Sequence, residues 1–195
     1  MDTRAILMST TKQTLTYCSI AAVIGLLTAV YPNEFRTSKE GLELIANYEG
    51  CVSNTYKDTI GKCTVGIGST RGFDGKPLVG HEKMTTDEVA RLFMRDVKEA
   101  EQCVFDNFNG DKMPQPVLDS VVSLVYNTGC YGARWNQKAK RPTQIALFAA
   151  VGDWNMVCYH IADFRFAGGT VSKGLENRRK KEQARCLQYR FSNVP

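Results

Sequence analysis

From Gln13 to Asn33 the chain reads QTLTYCSIAAVIGLLTAVYPN, 21 residues without a charge. As a helix at ~1.5 Å per residue this stretch extends ~32 Å, the thickness of a bilayer core. Lys12 precedes it and Glu34 follows it. With Arg4 and the amino terminus, Lys12 puts the positive end in the cytoplasm, so the remainder of the chain is exported. A cleaved signal peptide needs small residues just before its cleavage site, and GLLTAVYPNEF offers no clean A-x-A. A permanent anchor is richer in Leu, Ile and Phe. Here Thr14, Thr16, Cys18, Ser19, Gly25 and Thr28 make membrane residence marginal. A segment that inserts and later leaves the bilayer agrees best with this composition. A buried core helix calls for a polar face, and none is visible.

An exported chain can hold disulfides, and this one has seven cysteines. There are only two histidines, His81 and His160, and no CxxC or CxxH spacing, so neither a metal nor an organic cofactor is implied. An odd count leaves one thiol over. The net charge of +5 suits an anionic polymer without choosing one. The basic run NRRKKEQAR reads as a solvated helix face rather than a nucleic-acid reader, with one arginine available to balance a buried acid.

Past the uncharged segment, RTSKEGLELIANYEG predicts an amphipathic helix. Thr37 and Glu40 have capping-box spacing, Gly50 is a stop, and Leu42, Ile45, Ala46 and Glu49 share one face. SNTYKDTIGKCTVGIGST predicts a short hairpin turning at Asp58–Gly61, with Gly66 and Gly68 marking bulges or a close approach by a ligand. MTTDEVARLFMRDVKEAEQCVFDNF predicts a long helix capped by Thr85 and Glu88. Its stripe is Val89, Leu92, Phe93, Val97, Ala100 and Val104, and twenty residues reach about 30 Å, enough to join two lobes. From Pro116 the pattern is helical to the end, with a first stop at Gly129.

Glu49 on an apolar face is costly to ionise, so its pKa should rise and leave it able to donate a proton. Asp58, in a polar turn beside Lys57 and Lys62, should stay ionised. Two carboxylates in contrasting environments form the acid–base arrangement that cleaves glycosidic bonds, and Thr64 supplies a hydroxyl to hold a water. Spacing alone leaves the plainer reading open, a helix-end Glu and a turn Asp.

The frame of Glu49, Asp58 and Thr64, with YEG before, Y-x-D between and T-x-G-I-G after, resembles the phage-type muramidases. RLFMRDVKEAE, SLVYNTG and GLENRRKKE extend the resemblance over roughly Ser38 to Val194. It implies an α+β, two-lobed lysozyme-like fold, with a small hairpin lobe and a larger helical lobe joined by a long helix. It further implies Glu49 as general acid, Asp58 and Thr64 as water-positioning groups, Arg178 as the partner of the glutamate, and Gly68 and Tyr126 in the cleft. The implied reaction is hydrolysis, with inversion, of the β-1,4 bond between N-acetylmuramic acid and N-acetylglucosamine in peptidoglycan. A lytic transglycosylase, or a wall-binding module without turnover, is the alternative. The N terminus resembles that of signal-anchor-release endolysins. That divides the chain into a release segment, 1–35, preceding as a membrane helix, and a catalytic domain, 36–195. The expected protein is a monomer that engages peptidoglycan and no nucleic acid. It is held at the host inner membrane by residues 13–33 and is then free in the periplasm.

Cys51 and Cys63 fall out of register in a hairpin centred on the Asp58–Gly61 turn, so a bond between them would remodel it. Some members of the endolysin group exchange such a bond. A caged form with Cys51–Cys63 would relax to Cys18–Cys51 with Cys63 free, once Cys18 leaves the bilayer. For the other four cysteines three pairings are open. The family's folding favours Cys103–Cys186 and Cys130–Cys158.

Overall fold

The computed structural model describes residues 14–58 and 61–191. Arg4, Lys12, Gln13, Val194 and the central residues of the hairpin turn lie outside them. The uncharged segment does not form a membrane-length helix. Residues 14–19 are extended, and α1 runs only over Ile20–Val30, capped by the Ser19 hydroxyl. No described helix is long and apolar enough to cross a membrane. Val23, Ile24 and Leu27 are fully buried in the main core, while Ala21, Ala22, Gly25, Thr28 and Ala29 face outward. The polar face that a core helix calls for is replaced by a face of small side chains, which leaves little apolar area in water. The residues of α1 that weaken membrane insertion are thus those on the outer face of this helix where it lies on the protein core.

Helix α2 covers Lys39–Glu49 and stops at Gly50, whose φ of 72° is the left-handed region that glycine supplies. Its N-cap is Ser38, not Thr37. Thr37 instead donates its backbone N–H and its hydroxyl to Glu101 Oε1, each at 2.5 Å, so a tertiary partner displaces the expected capping box. Strands β1 (Val52–Lys57) and β2 (Cys63–Gly66) form the hairpin, pairing Tyr56 with Thr64 and Lys57 with Cys63, with an irregularity between Val52 and Tyr56. Gly61 N–H donates to Asp58 C=O at 3.0 Å, closing the turn as expected.

Helix α3 (Thr86–Phe108) carries the predicted capping box of Thr85 and Glu88, and its whole predicted stripe is buried. It packs against α1 and α4 (Gln115–Arg134). Gly129 interrupts α4 with φ 73° but does not end it. The remainder is not purely helical. A two-residue hairpin, β3 (Trp135–Asn136) with β4 (Arg141–Pro142), precedes α5 (Gln144–Val151) and α6 (Trp154–His160). A second, β5 (Phe166–Ala167) with β6 (Thr170–Val171), precedes α7 (Lys173–Cys186).

Cys103 bonds Cys130, joining α3 to α4, and Cys158 bonds Cys186, joining α6 to α7. This corrects the pairing expected from the family. Each bond links helices already packed together, with Cα–Cα distances of 5.8 and 5.5 Å. Cys18 bonds Cys51 and Cys63 is free, the arrangement expected for the relaxed form. Around that bond residues 14–18 add an edge to β1. Ser53 N–H donates to Thr16 C=O at 2.7 Å and Cys18 N–H to Cys51 C=O at 3.0 Å. Asn54 clamps the added edge from its side chain, accepting from Thr16 N–H at 2.6 Å and donating to Thr14 C=O at 3.1 Å.

Candidate active site

Glu49 is the last residue of α2, one step before the Gly50 turn. Its side chain is 22% exposed, and its Oε1 accepts from Arg178 Nη1 at 2.6 Å. A guanidinium thus faces this carboxylate at the end of the apolar face of α2. Behind it stands Gly68. A Cβ there would lie 3.2 Å from Glu49 Oε2, and the φ of 82° already disfavours a side chain. Tyr126, from α4, fixes this backbone by donating its hydroxyl to Ile67 C=O at 2.5 Å. Burial, followed by the nearby charges of Asp96 and Glu49, pushes the Tyr126 phenol well above its ordinary range, so it remains a donor. The structure thus brings Glu49, Gly68, Tyr126 and Arg178 together.

Asp58 and Thr64 come from the hairpin. Asp58 Oδ1 accepts from Lys62 N–H at 2.8 Å, which ties the carboxylate to its own turn. Thr64 is 5% exposed, and its hydroxyl lies 3.4 Å from Lys62 C=O. Tyr56, opposite Thr64 in the register, links the two carboxylates. Its phenol is raised first by burial and then by the charges of Glu49 and Asp58, so both lie within electrostatic reach of one ring. A cavity of about 290 Å³ beside Gly68 and Tyr126 continues the cleft, lined also by Thr70, Arg71, Asp96 and Gly129. Its wall is polar. Asp96 accepts from Ser69 Oγ at 2.5 Å and from Arg95 Nη2 at 2.7 Å.

Arg178 faces Glu49 as the resemblance implied, but the network behind that arginine escaped sequence reasoning. Arg178 also donates Nε to Glu182 Oε1 at 3.0 Å and Nη2 to Ser123 C=O at 3.3 Å, and it lies over the Tyr48 ring at 5.3 Å. Arg179 Nε stands 2.9 Å from Glu182 Oε2, and its Nη2 reaches Asn127 Oδ1 at 3.0 Å. Arg178, Arg179 and Glu182 are all buried. Burial raises the Glu182 carboxyl and lowers Arg179 to about 10. The run read as a solvated face therefore has a dry inner side. Residues 175, 178, 179, 182 and 186 recur at helical spacing, with Cys186 as a buried anchor, and that periodicity was the available signal. Among the described residues no group of His, Cys, Asp or Glu is placed to hold a metal ion.

A small hairpin and a larger helical body, connected through a long helix, define a lysozyme-like protein. The sequence pattern of the Phage lysozyme family matches residues 46–182, and the chain belongs to that family. It is 38% identical over 179 residues to the SAR-endolysin of Haemophilus phage HP1 (strain HP1c1), covering 87% of this chain and 94% of that protein. With the SAR-endolysin of Escherichia phage P1 it shares 33% identity over 174 residues, covering 87% and 91%. The crystal structure of the active form of P1 phage endolysin Lyz superposes with a TM-score of 0.81 at 31% identity, covering 91% of this chain and 98% of that one. The secreted inactive form of the same endolysin gives 0.56 at 28% identity, covering 81% and 99%.

Proposed function

We propose that the chain is an endolysin of the signal-anchor-release type, which hydrolyses the β-1,4 link between N-acetylmuramic acid and N-acetylglucosamine in peptidoglycan. The observation that carries this reading is Glu49 at the end of α2, clamped by Arg178 against Gly68 and sharing the Tyr56 ring's surroundings with Asp58. Glu49 protonates the departing glycosidic oxygen. Asp58, with the Thr64 hydroxyl as helper, orients and deprotonates a water on the opposite face of the sugar, which inverts the anomeric centre. Arg178 aims the Glu49 carboxyl while its Nε bonds Glu182. Gly68 leaves room for the sugar beside the acid.

Export precedes catalysis in this reading. Residues 13–33 hold the chain to the host inner membrane with its body in the periplasm, and release lets α1 fold onto α3. Thiol exchange sets the timing. In the observed register Cys63 faces Lys57, six residues along β1 from Cys51, or about 20 Å of strand. A disulfide tolerates ~4.4–6.8 Å between Cα atoms. A Cys51–Cys63 bond and this hairpin therefore exclude each other, and the Cys18 thiolate resolves the conflict by attacking Cys51 and expelling the Cys63 thiolate. The greater likeness to the active than to the inactive P1 endolysin supports taking the Cys18–Cys51 form as the competent one.

Glu49→Gln tests the catalytic assignment on purified peptidoglycan. Turnover should fall by about 10²–10⁴-fold with the thermal unfolding midpoint kept. Products of the unsubstituted protein should carry an added water. An anhydro sugar product, or undiminished lysis by Glu49→Gln, would refute the reading.

A further inference from the structure

The positive charge is not evenly spread. Residues 130–152 contain Arg134, Lys138, Lys140 and Arg141 and not one acid, in a chain whose net charge is +5. Elsewhere many cations are engaged, as in Lys98–Glu34, Arg91–Asp87 and Arg185–Asp119, and those outside any ion pair, such as Lys83, Lys112 and Lys173, are scattered along the sequence among acids. Among the described residues no ion pair engages these four. The β3–β4 hairpin holds Lys138, Lys140 and Arg141 out, and Arg134, at the end of α4, lies over the Tyr131 ring at 5.7 Å. Asn136 Oδ1 accepts from Ala139 N–H at 3.0 Å across the hairpin tip, and Tyr131 donates to Gln137 Oε1 at 2.6 Å at its base.

Directly after the hairpin comes α5, QIALFAAV, a helix with no charged residue. Its buried side is Ile145 and Ala149, and its outer stripe is Leu147, Ala150 and Val151, with Leu147 45% and Val151 77% exposed. A shallow groove of about 330 Å³ joins the two features, lined by Arg134, Trp135, Pro142, Ala146, Leu147 and Ala150. Lys138 and Arg141 line a second cavity that shares Trp135 and Pro142 with this groove and also holds Asp163, and an aliphatic stripe beside such a cation-rich hairpin is the pattern of a surface that lies on a charged lipid interface.

We infer that the α5 stripe and the β3–β4 hairpin form a peripheral docking face for an anionic phospholipid surface, which keeps the folded, released enzyme beside the membrane. Charge complementarity and the chemistry of the stripe select this occupant. A sugar or peptide polymer needs hydrogen-bond partners, and the aliphatic groups of Leu147, Ala150 and Val151 offer none, whereas hydrocarbon rewards them. A second copy meeting this face about a two-fold axis would oppose like charges across the contact. The inference concerns the folded body and stands apart from the assignment of Glu49.

The test uses the full chain with Cys18–Cys51 formed, floated with vesicles of phosphatidylglycerol and phosphatidylethanolamine, or of phosphatidylcholine alone. Binding should favour the anionic vesicles and weaken as salt rises. Joint replacement Lys138→Gln, Lys140→Gln and Arg141→Gln should lower the partition coefficient on the order of a hundredfold. Leu147→Ser with Val151→Ser should lower it about tenfold. All these positions are exposed, so folding is preserved, and turnover on soluble wall fragments should be unchanged. Equal binding to both vesicle types, or partition unaffected by either set of substitutions, overturns the proposal. So does a self-association that the substitutions abolish, or a loss of turnover on soluble fragments, which would assign the face to a second copy or to the wall. A protein inactive on every wall substrate but bound to anionic vesicles as described would sink the muramidase reading and leave this one standing.

Discussion

The two sides of the cleft are built on opposite principles. The helical side holds Glu49 from behind with a dry ion network of Arg178, Arg179 and Glu182, and two disulfides join its helices. The hairpin side, carrying Asp58 and Thr64, has a small apolar cluster of Val65, Leu78 and Leu92. Its register depends on hydrogen bonds and on one sulfur bond to a segment from the far N terminus. A large core underlies one side, while the other has a thin core and a single sulfur bond to the N-terminal segment. A lobe with few buried contacts opens at low cost, so it is the natural place for a switch.

The sharpest attempt to break this contrast is Cys18→Ser. The exported variant should retain its helical far-ultraviolet signal yet lose nearly all lytic activity, because nothing displaces Cys63 from Cys51. Adding Cys63→Ser should restore much of that activity, since no caging bond is then possible. Normal lysis by Cys18→Ser alone would show that the hairpin side needs no switch. Glu182→Ala probes the other side. It leaves Arg179 buried without its counter-ion and Arg178 with Glu49 alone, and denaturant unfolding should show a loss of about 3–5 kcal/mol. A loss within experimental noise would mean that the network is not what makes this side rigid.

The smallest effect belongs to acid stability on the hairpin side. Glu82 accepts backbone N–H bonds from Val79, Gly80 and His81 and a hydroxyl bond from Thr55, and bonding led by Val79 lowers its carboxyl to about 2. Because the folded value is depressed, this carboxylate supports the fold at pH above its ordinary value of 4.5 and loses that support as pH falls toward about 2. Glu82→Gln should flatten that part of the melting-temperature profile. An unchanged profile would move acid sensitivity to another group.

Much of this was legible without coordinates. The α3 cap and stripe, the Gly50 stop and the hairpin turn follow from periodicity and backbone sterics within a few residues. The Thr37–Glu40 capping box failed because Glu101, 64 residues away from Thr37, offered a buried partner. The pairing of four cysteines failed because spacing is silent on which helices touch. The inner face of α7 was hidden by its charge, since a run of Arg and Lys looks solvated until a buried Glu182 is seen between them.

By itself the sequence determined the local elements and the residue types at the cleft, because torsional preference and hydrophobic period act over one or two turns. Only the tertiary structure decided what those residues pack against: that Arg178 and Arg179 share a buried Glu182, that Cys103 meets Cys130, and that the uncharged N-terminal stretch lies on a protein core. Partners brought from distant parts of the chain are chosen by the packing of whole helices, and no short window of residues encodes that choice.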